Sequence, residues 1–305
     1  MLRKLVILAV AAAVLGLAAF WFLTAPGTVP ASALGSHTPD ATKGRTVFFA
    51  GGCSSCHATP NQDEKLRLGG GLGLKSPFGT FYVPNISPDP IDGIGRWSEA
   101  DFVTAMVKGT SPDGRHYYPA FPYTSYQRMT QADLRDLFAF IKTLTPMQGR
   151  VRDHDLGFPF NIRRTLGGWK LLFLDGEPFK PDPGKPAEWN RGAYLVNGPG
   201  HCAECHSPRN MLGGIIAGQR FAGGPDPEGE GWVPNITQHG LSSWSLEDIT
   251  KLLETGENRD SDTVGGNMGK VVGNTSQLSA EDRAAMAIYV KSLPAVEGPK
   301  RPEKK

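Results

Sequence analysis

All four cysteines of the chain fall in two runs of one pattern, CSSCH at Cys53 to His57 and CAECH at Cys202 to His206. Thiols three positions apart share one face of a helical turn, and the residue after the second thiol is in each case an imidazole. Four accounts compete for such groups. A redox dithiol needs no histidine after it and belongs at the start of a helix in a strand-rich fold. A zinc ion held by all four sulfurs would join sites about 150 residues apart, well beyond the separations used by small zinc modules. Chance is a poor account, since no cysteine lies outside the pattern. Covalent haem explains each residue: the two thiols add to vinyl groups on adjacent edges of a porphyrin, and the next residue aims its imidazole at the iron. Cys53, Cys56 and His57 thus predict one haem c group, and Cys202, Cys205 and His206 a second.

The sixth iron position separates an electron carrier from a ligand-binding haem. Met268, in the Gly-rich stretch VGGNMGKVV, is expected on a loop from which its thioether reaches the second iron; Met286 falls on the final helix and Met211 very near the haem motif. In the first half Met129 stands just before the last helix, in GRHYYPAFPYTSYQRMT, and is expected as the ligand, with His116 as the alternative. Met106 lies within a helix at a core-facing position, and Met147 falls beyond the final helix. His201 reads as a polar neighbour of the second motif. The segment VPNI occurs at Val83 and again at Val233; its asparagine is expected to bond a haem propionate or a loop amide, unless the segment is a plain turn. Trp97 and Trp244 read as core residues with a propionate contact as the alternative.

These residues must be positioned by something, and the chain is written twice. A shift of about 150 residues brings CSSCH onto CAECH, VPNI onto VPNI, GIGRWSEADF onto GLSSWSLEDI, and MTQADLRDLFAFIKTLTP onto LSAEDRAAMAIYVKSLP, all in order. Ser98 with Asp101, Ser245 with Asp248, Thr130 with Asp133 and Ser279 with Asp282 each place a capping hydroxyl and a carboxylate ahead of an apolar run. Each half therefore starts two helices the same way. The first is expected to end near Gly109 or Gly256, and the second before Pro146 or Pro294. Leu134, Leu137, Phe138 and Ile141 recur at helical spacing and give the second helix an apolar face. A third helix precedes each cysteine run, in TKGRTVFFA and EWNRGAYLV. No strand-like alternation of comparable length occurs, so the fold class is mainly α with long loops.

Composition is that of a soluble globular protein outside one segment: of 305 residues, 39% are hydrophobic and 20% charged, while 38 Gly and 25 Pro point to long ordered loops that haem would help to pin. A net charge of +2 without basic runs interleaved with aromatics excludes nucleic acid as a partner class. Residues 1–35 stand apart. Arg3 and Lys4 precede an uncharged apolar run from Leu5 to Leu23, long enough as a helix to span roughly 28 Å, about one hydrocarbon core. A retained transmembrane anchor is favoured over a cleaved signal, because signal cores are shorter and the small-residue site at Ala31 to Ala33 lies well beyond the run. Either way the chain after Thr24 is exported. The expected organisation is 36–146 for the first domain, 147–188 for an apolar connector lying against both domains, 189–296 for the second, and 297–305 for a disordered charged tail.

The paired motifs, with VPNI, YPAFPYTSY, HDLGFPFNIRR, EWNRGAYLV, GHCAECHSPRN and NTSQLSAEDRAAMAIYVKSLP, resemble the dihaem class I cytochromes c of bacteria over about residues 40 to 295. The resemblance extends to the cytochrome subunits of membrane-bound alcohol and gluconate dehydrogenases. It implies two tandem class I cytochrome c domains, a periplasmic setting, a dehydrogenase as electron donor, and a downstream cytochrome, quinone or oxidase as acceptor. Two departures stand out. Those subunits carry three haem domains where this chain has two. Relatives often read AMPY where this chain has Ala120, Phe121, Pro122 and Tyr123, whereas Met129 matches a position that relatives keep. The leading expectation is a dihaem electron carrier with ligand pairs His57/Met129 and His206/Met268. The alternative is a dihaem redox enzyme, peroxidase-like or thiosulfate-oxidising, with one open haem.

Overall fold

The computed structural model describes residues 1–227 and 231–302. Helix α1 (Leu2–Leu23) is apolar and has no buried residue. The first half then runs α2 (Ala41–Ala50), α3 (Cys53–His57), strands β1 (Gly73–Ser76) and β2 (Gly79–Tyr82), α4 (Glu99–Lys108), α5 (Tyr123–Tyr126) and α6 (Gln131–Lys142). Strand β3 (Asp155–Leu156) and helix α7 (Leu166–Phe173) lie in the connecting segment. The second half runs α8 (Ala187–Asn197), α9 (Ala203–His206), β4 (Gly224–Pro225), β5 (Trp232–Val233), α10 (Gln238–Leu241), α11 (Leu246–Thr255), α12 (Gly266–Thr275) and α13 (Ala280–Lys291). The described residues are mostly helical, as the sequence predicts.

The same local devices set both halves. Ser98 and Ser245 each accept from the amide three residues on, and Asp101 and Asp248 reach back to the cap amide, so α4 and α11 open with full capping boxes. Both helices end on a left-handed glycine, Gly109 at φ 56° and Gly256 at φ 80°. Replacing Ser245 by Ala is expected to cost about 1 kcal/mol of stability, read as a lowered denaturation midpoint with unchanged slope.

Two helix crossings organise the core. At Gly44 a side-chain carbon would overlap the Asp136 carbonyl oxygen and stand 2.9 Å from Phe140 Cβ, so α2 lies directly on α6. At Gly192 it would overlap the Ala285 carbonyl oxygen and stand 3.0 Å from Tyr289 Cβ, so α8 lies on α13 in the same way. The predicted stripe of α6 is buried at Leu134, Leu137, Phe138 and Ile141, and one hydrophobic cluster runs from Phe48 and Leu137 through Leu195 and Met286 across both halves.

The short strands were not expected. β1, β2 and β3 form an antiparallel sheet and β4 pairs with β5; at two to four residues each they are too short for a two-residue period to show. The connecting segment touches both halves. β3 pairs with β2, the Gly176 amide donates to Gln127 Oε1 at 2.7 Å, Trp169 Nε1 donates to the Leu212 carbonyl at 2.9 Å, and the Phe179 ring meets Tyr194 at 5.6 Å. In the expected tail Gly298 sits against Ala222, and 303–305 lie outside the described residues.

Candidate haem-binding site

Each Cys-x-x-Cys-His run forms a short helical turn entered from a non-helical residue. Gly52 at φ 57° precedes Cys53, and His201 at φ 39° precedes Cys202. No disulfide joins the cysteines. Burial, reinforced by Cys56, pushes the Cys53 thiol up to about 12, and burial pushes Cys202 up to about 11. A redox dithiol needs the reverse, an exposed thiol with a depressed pKa. Among the described residues no three His, Cys, Asp or Glu side chains cluster as metal ligands, so the four sulfurs do not share one zinc-like site.

The histidines are held alike. His57 Nδ1 is 2.9 Å from the Pro84 carbonyl oxygen and His206 Nδ1 is 2.9 Å from that of Pro234. A carbonyl only accepts, so Nδ1 carries the proton and Nε2 keeps the lone pair that an iron needs. Burial lowers His57 to about 4 and lowers His206 as well, which keeps both rings neutral. The proline carbonyls are themselves pinned. Gly70, at φ 67°, packs its Cα against Pro84, where a Cβ would fall 2.5 Å from the carbonyl carbon; Gly223, at φ 74°, does the same at Pro234, 2.8 Å from that carbon. The Gly70 amide donates to the His57 carbonyl and the Gly223 amide to that of His206.

VPNI is thus the histidine's support, and its asparagine bonds a loop amide: Asn85 Oδ1 accepts from Ser87 N and Asn235 Oδ1 from Thr237 N, both at 2.9 Å. Asn85 Nδ2 also donates to the Met147 carbonyl, and Asn235 Nδ2 to that of Val296, tying the turn to the chain beyond the last helix. Trp97 and Trp244 pack on the core cluster. Thiol pairs and neutral imidazoles held through Nδ1 fit a haem c group.

The methionines differ. Met268 lies in the first turn of α12, half-buried against the core. Met129 is 3% exposed, sits directly before the α6 cap Thr130 as Leu278 sits before the α13 cap Ser279, and brings its Cγ within 3.6 Å of where a Gly198 Cβ would be. His116 is occupied elsewhere. Its Nε2 donates to the Thr24 carbonyl and its Nδ1 accepts from Lys170 Nζ, both at 3.0 Å, which fixes the neutral ring. Burial and then the Lys170 charge lower its pKa from 6.5 to about 4. Between those values the unfolded chain binds a proton that the folded chain refuses, so stability is expected to fall as pH drops from 6.5 toward 4. His116→Gln should flatten that part of the curve of unfolding midpoint against pH.

Sequence reasoning missed how the motifs meet. The inner residues of each run bond the other half: Ser54 Oγ donates to Asn274 Oδ1 and Asn274 Nδ2 to Ser55 Oγ, both at 2.9 Å, while Thr124 and Ser125 donate to Glu204 Oε1 at 2.9 and 2.8 Å. Arg209 pairs with Glu204 Oε2 at 2.7 Å. His201 reaches the Gly51 carbonyl at 3.3 Å and its ring meets Tyr126 at 5.7 Å. The polar residues between the cysteines were the available signal.

A mainly helical fold with half-buried Cys-x-x-Cys-His turns and carbonyl-anchored histidines defines a protein that holds haem through thioethers. Residues 41–145 match the Cytochrome c family model, and this chain belongs to the cytochrome c family. It is 49% identical to a protein named diheme cytochrome c-type from Cereibacter sphaeroides, over 92% of this chain and 95% of that one. It is 40% identical to the cytochrome c subunit of a quinone-dependent alcohol dehydrogenase of Komagataeibacter europaeus, over 86% of this chain and 58% of the other. It is also 36% identical to the cytochrome subunit of a fructose dehydrogenase of Gluconobacter japonicus, over 87% of this chain and 54% of that subunit. As a cytochrome c with such relatives it carries covalent haem and transfers electrons.

Proposed function

We propose that this chain is a membrane-anchored, periplasm-facing electron carrier with two haem c groups, built as tandem cytochrome c domains at 36–146 and 189–296 joined by 147–188. One observation carries it: the whole setting of the proximal histidine, from left-handed glycine to proline carbonyl to Nδ1, occurs in both halves. Cys53 and Cys56 would hold the first haem, with His57 and Met129 as its iron ligands, and Cys202 and Cys205 the second, with His206 and Met268. Haem supplies one-electron chemistry. The chain orients the ligands, excludes water and holds the two motifs together through Ser54, Ser55 and Asn274 and through Glu204, Thr124 and Ser125. Similarity to subunits named for dehydrogenases supports a dehydrogenase as donor, with a downstream cytochrome, quinone or oxidase as acceptor. Residues 1–35 form the anchor; amino-terminal sequencing of the mature protein distinguishes it from a cleaved signal. Mass measurement after acid acetone, with a pyridine haemochrome assay, should give two thioether-bound haems per chain; a bare polypeptide mass would refute the proposal.

An open first haem, as in a redox enzyme, is favoured by one specific observation. Phe121 and Met268 each stand five residues beyond an equivalent β-bridge, Thr110 with His116 and Glu257 with Thr263, so phenylalanine occupies the place of the second half's methionine. The two arrangements give opposite results. With Met129 as ligand, Met129→Ala converts the first haem to a carbon monoxide-binding form. With an open haem, the unaltered protein already binds cyanide tightly at one iron, and Phe121→Met suppresses that binding.

A further inference from the structure

Helix α7 is inside out for a helix in water. Its only charged residue, Lys170, is turned inward, with Nζ bonded to the Lys108 and Gly109 carbonyls at 2.7 and 2.6 Å, whereas Leu171 and Leu172 are 63% and 67% exposed. The apolar face extends onto the second half, because Trp169 bonds the carbonyl of Leu212, itself 59% exposed beside Met211 at 98%. Contiguous apolar exposure of this kind marks an interaction surface.

What covers it is indicated by where α7 is fastened. Gly167 packs against Thr24, Gly168 faces the Phe20 ring, and the Arg164 guanidinium lies 4.1 Å from the Trp21 ring centroid while donating to the Trp21 carbonyl. Leu23 and Leu171 line one shallow cleft. A 22-residue helix rises roughly 33 Å, about the thickness of a hydrocarbon core, which puts the last turn of α1 at the lipid boundary. The elements fastened to that turn lie at the same level.

We infer that Leu171, Leu172, Met211 and Leu212 rest in the outer boundary of the bilayer that α1 crosses, so that the connecting segment and the second half are seated on the membrane by a second, interfacial contact. Amphipathic helices bind there by placing apolar side chains at the junction of headgroups and acyl chains. The inference rests on the retained anchor proposed above. The seat makes the carrier's orientation fixed, where a lone helix would leave it free to swing.

The test uses the full-length, haem-loaded chain in phospholipid nanodiscs at one chain per disc, with single nitroxide labels at Leu172→Cys and Met211→Cys. Leu15→Cys reports the anchor and Glu188→Cys a water-exposed site; an unchanged haem spectrum checks folding of each. Collision rates with oxygen and with a water-soluble nickel chelate are compared. Oxygen-dominated collisions at 172 and 211, as at 15 and reversed at 188, are the expected result. Chelate-dominated collisions at 172 and 211 with oxygen dominance at 15 overturn the seat and leave the anchor standing. Chelate dominance at 15 overturns both. Shielding of 172 and 211 from both reagents overturns the seat in favour of a protein covering.

Discussion

Met268→Ala is expected to convert the second haem, and only that one, to a form that binds carbon monoxide in the ferrous state and loses the red-edge charge-transfer band of ferric His/Met iron. On the proposed ligation the physical cause is ligand removal. A neutral thioether favours ferrous iron, so its loss should also lower the reduction potential of that haem. The effect should stay local because Met268 lies at the start of α12, half-buried at the edge of the core, whereas the contact with the first half is made by Asn274 and the Lys270 carbonyl further along the helix. Half of the total haem absorbance should respond to carbon monoxide and half should not. A variant whose spectrum and potentiometric titration match those of the parent would show that Met268 is a packing residue.

Gly192→Ala is expected to destabilise the second half by about 3 kcal/mol or more, the upper range for overpacking a tight core. The added carbon overlaps the Ala285 carbonyl oxygen and stands 2.5 Å from its carbon. Neither atom yields as a flexible side chain would, so α8 must move off α13. That separation withdraws Leu195 and Val196, which are 2% and 0% exposed, from the shared cluster. Gly218→Ala, where a Cβ meets nothing within 4 Å, should stay within about 0.5 kcal/mol. Denaturation midpoints of the two variants, taken with the intact haem band as a probe, provide the measurement; equal midpoints would mean that the crossing is slack.

Much of the candidate site was legible because haem attachment is a local code. Two thiols and an imidazole within five residues need one helical turn and nothing distant, and capping pairs such as Ser245 with Asp248 write their helix starts just as locally. The support of the imidazole was less legible. Pro84 lies 27 residues beyond His57, and only the fold reveals that its carbonyl fixes Nδ1. His116 shows the converse: a histidine in a ligand-like loop whose ring nitrogens are committed to Thr24 and Lys170, partners 92 and 54 residues away. Phe121 already stood out as a departure from AMPY, and the bridge positions add that it occupies the place of Met268.

By itself the sequence determined the attachment chemistry, the duplicated helix starts and an apolar first helix, since each depends on residues close together along the chain. The tertiary structure alone decided which polar groups between the cysteines meet across the two halves, where the inward lysine and outward leucines of α7 face, and how closely α8 and α13 approach. Those outcomes depend on contacts between segments many tens of residues apart, which composition and periodicity do not encode.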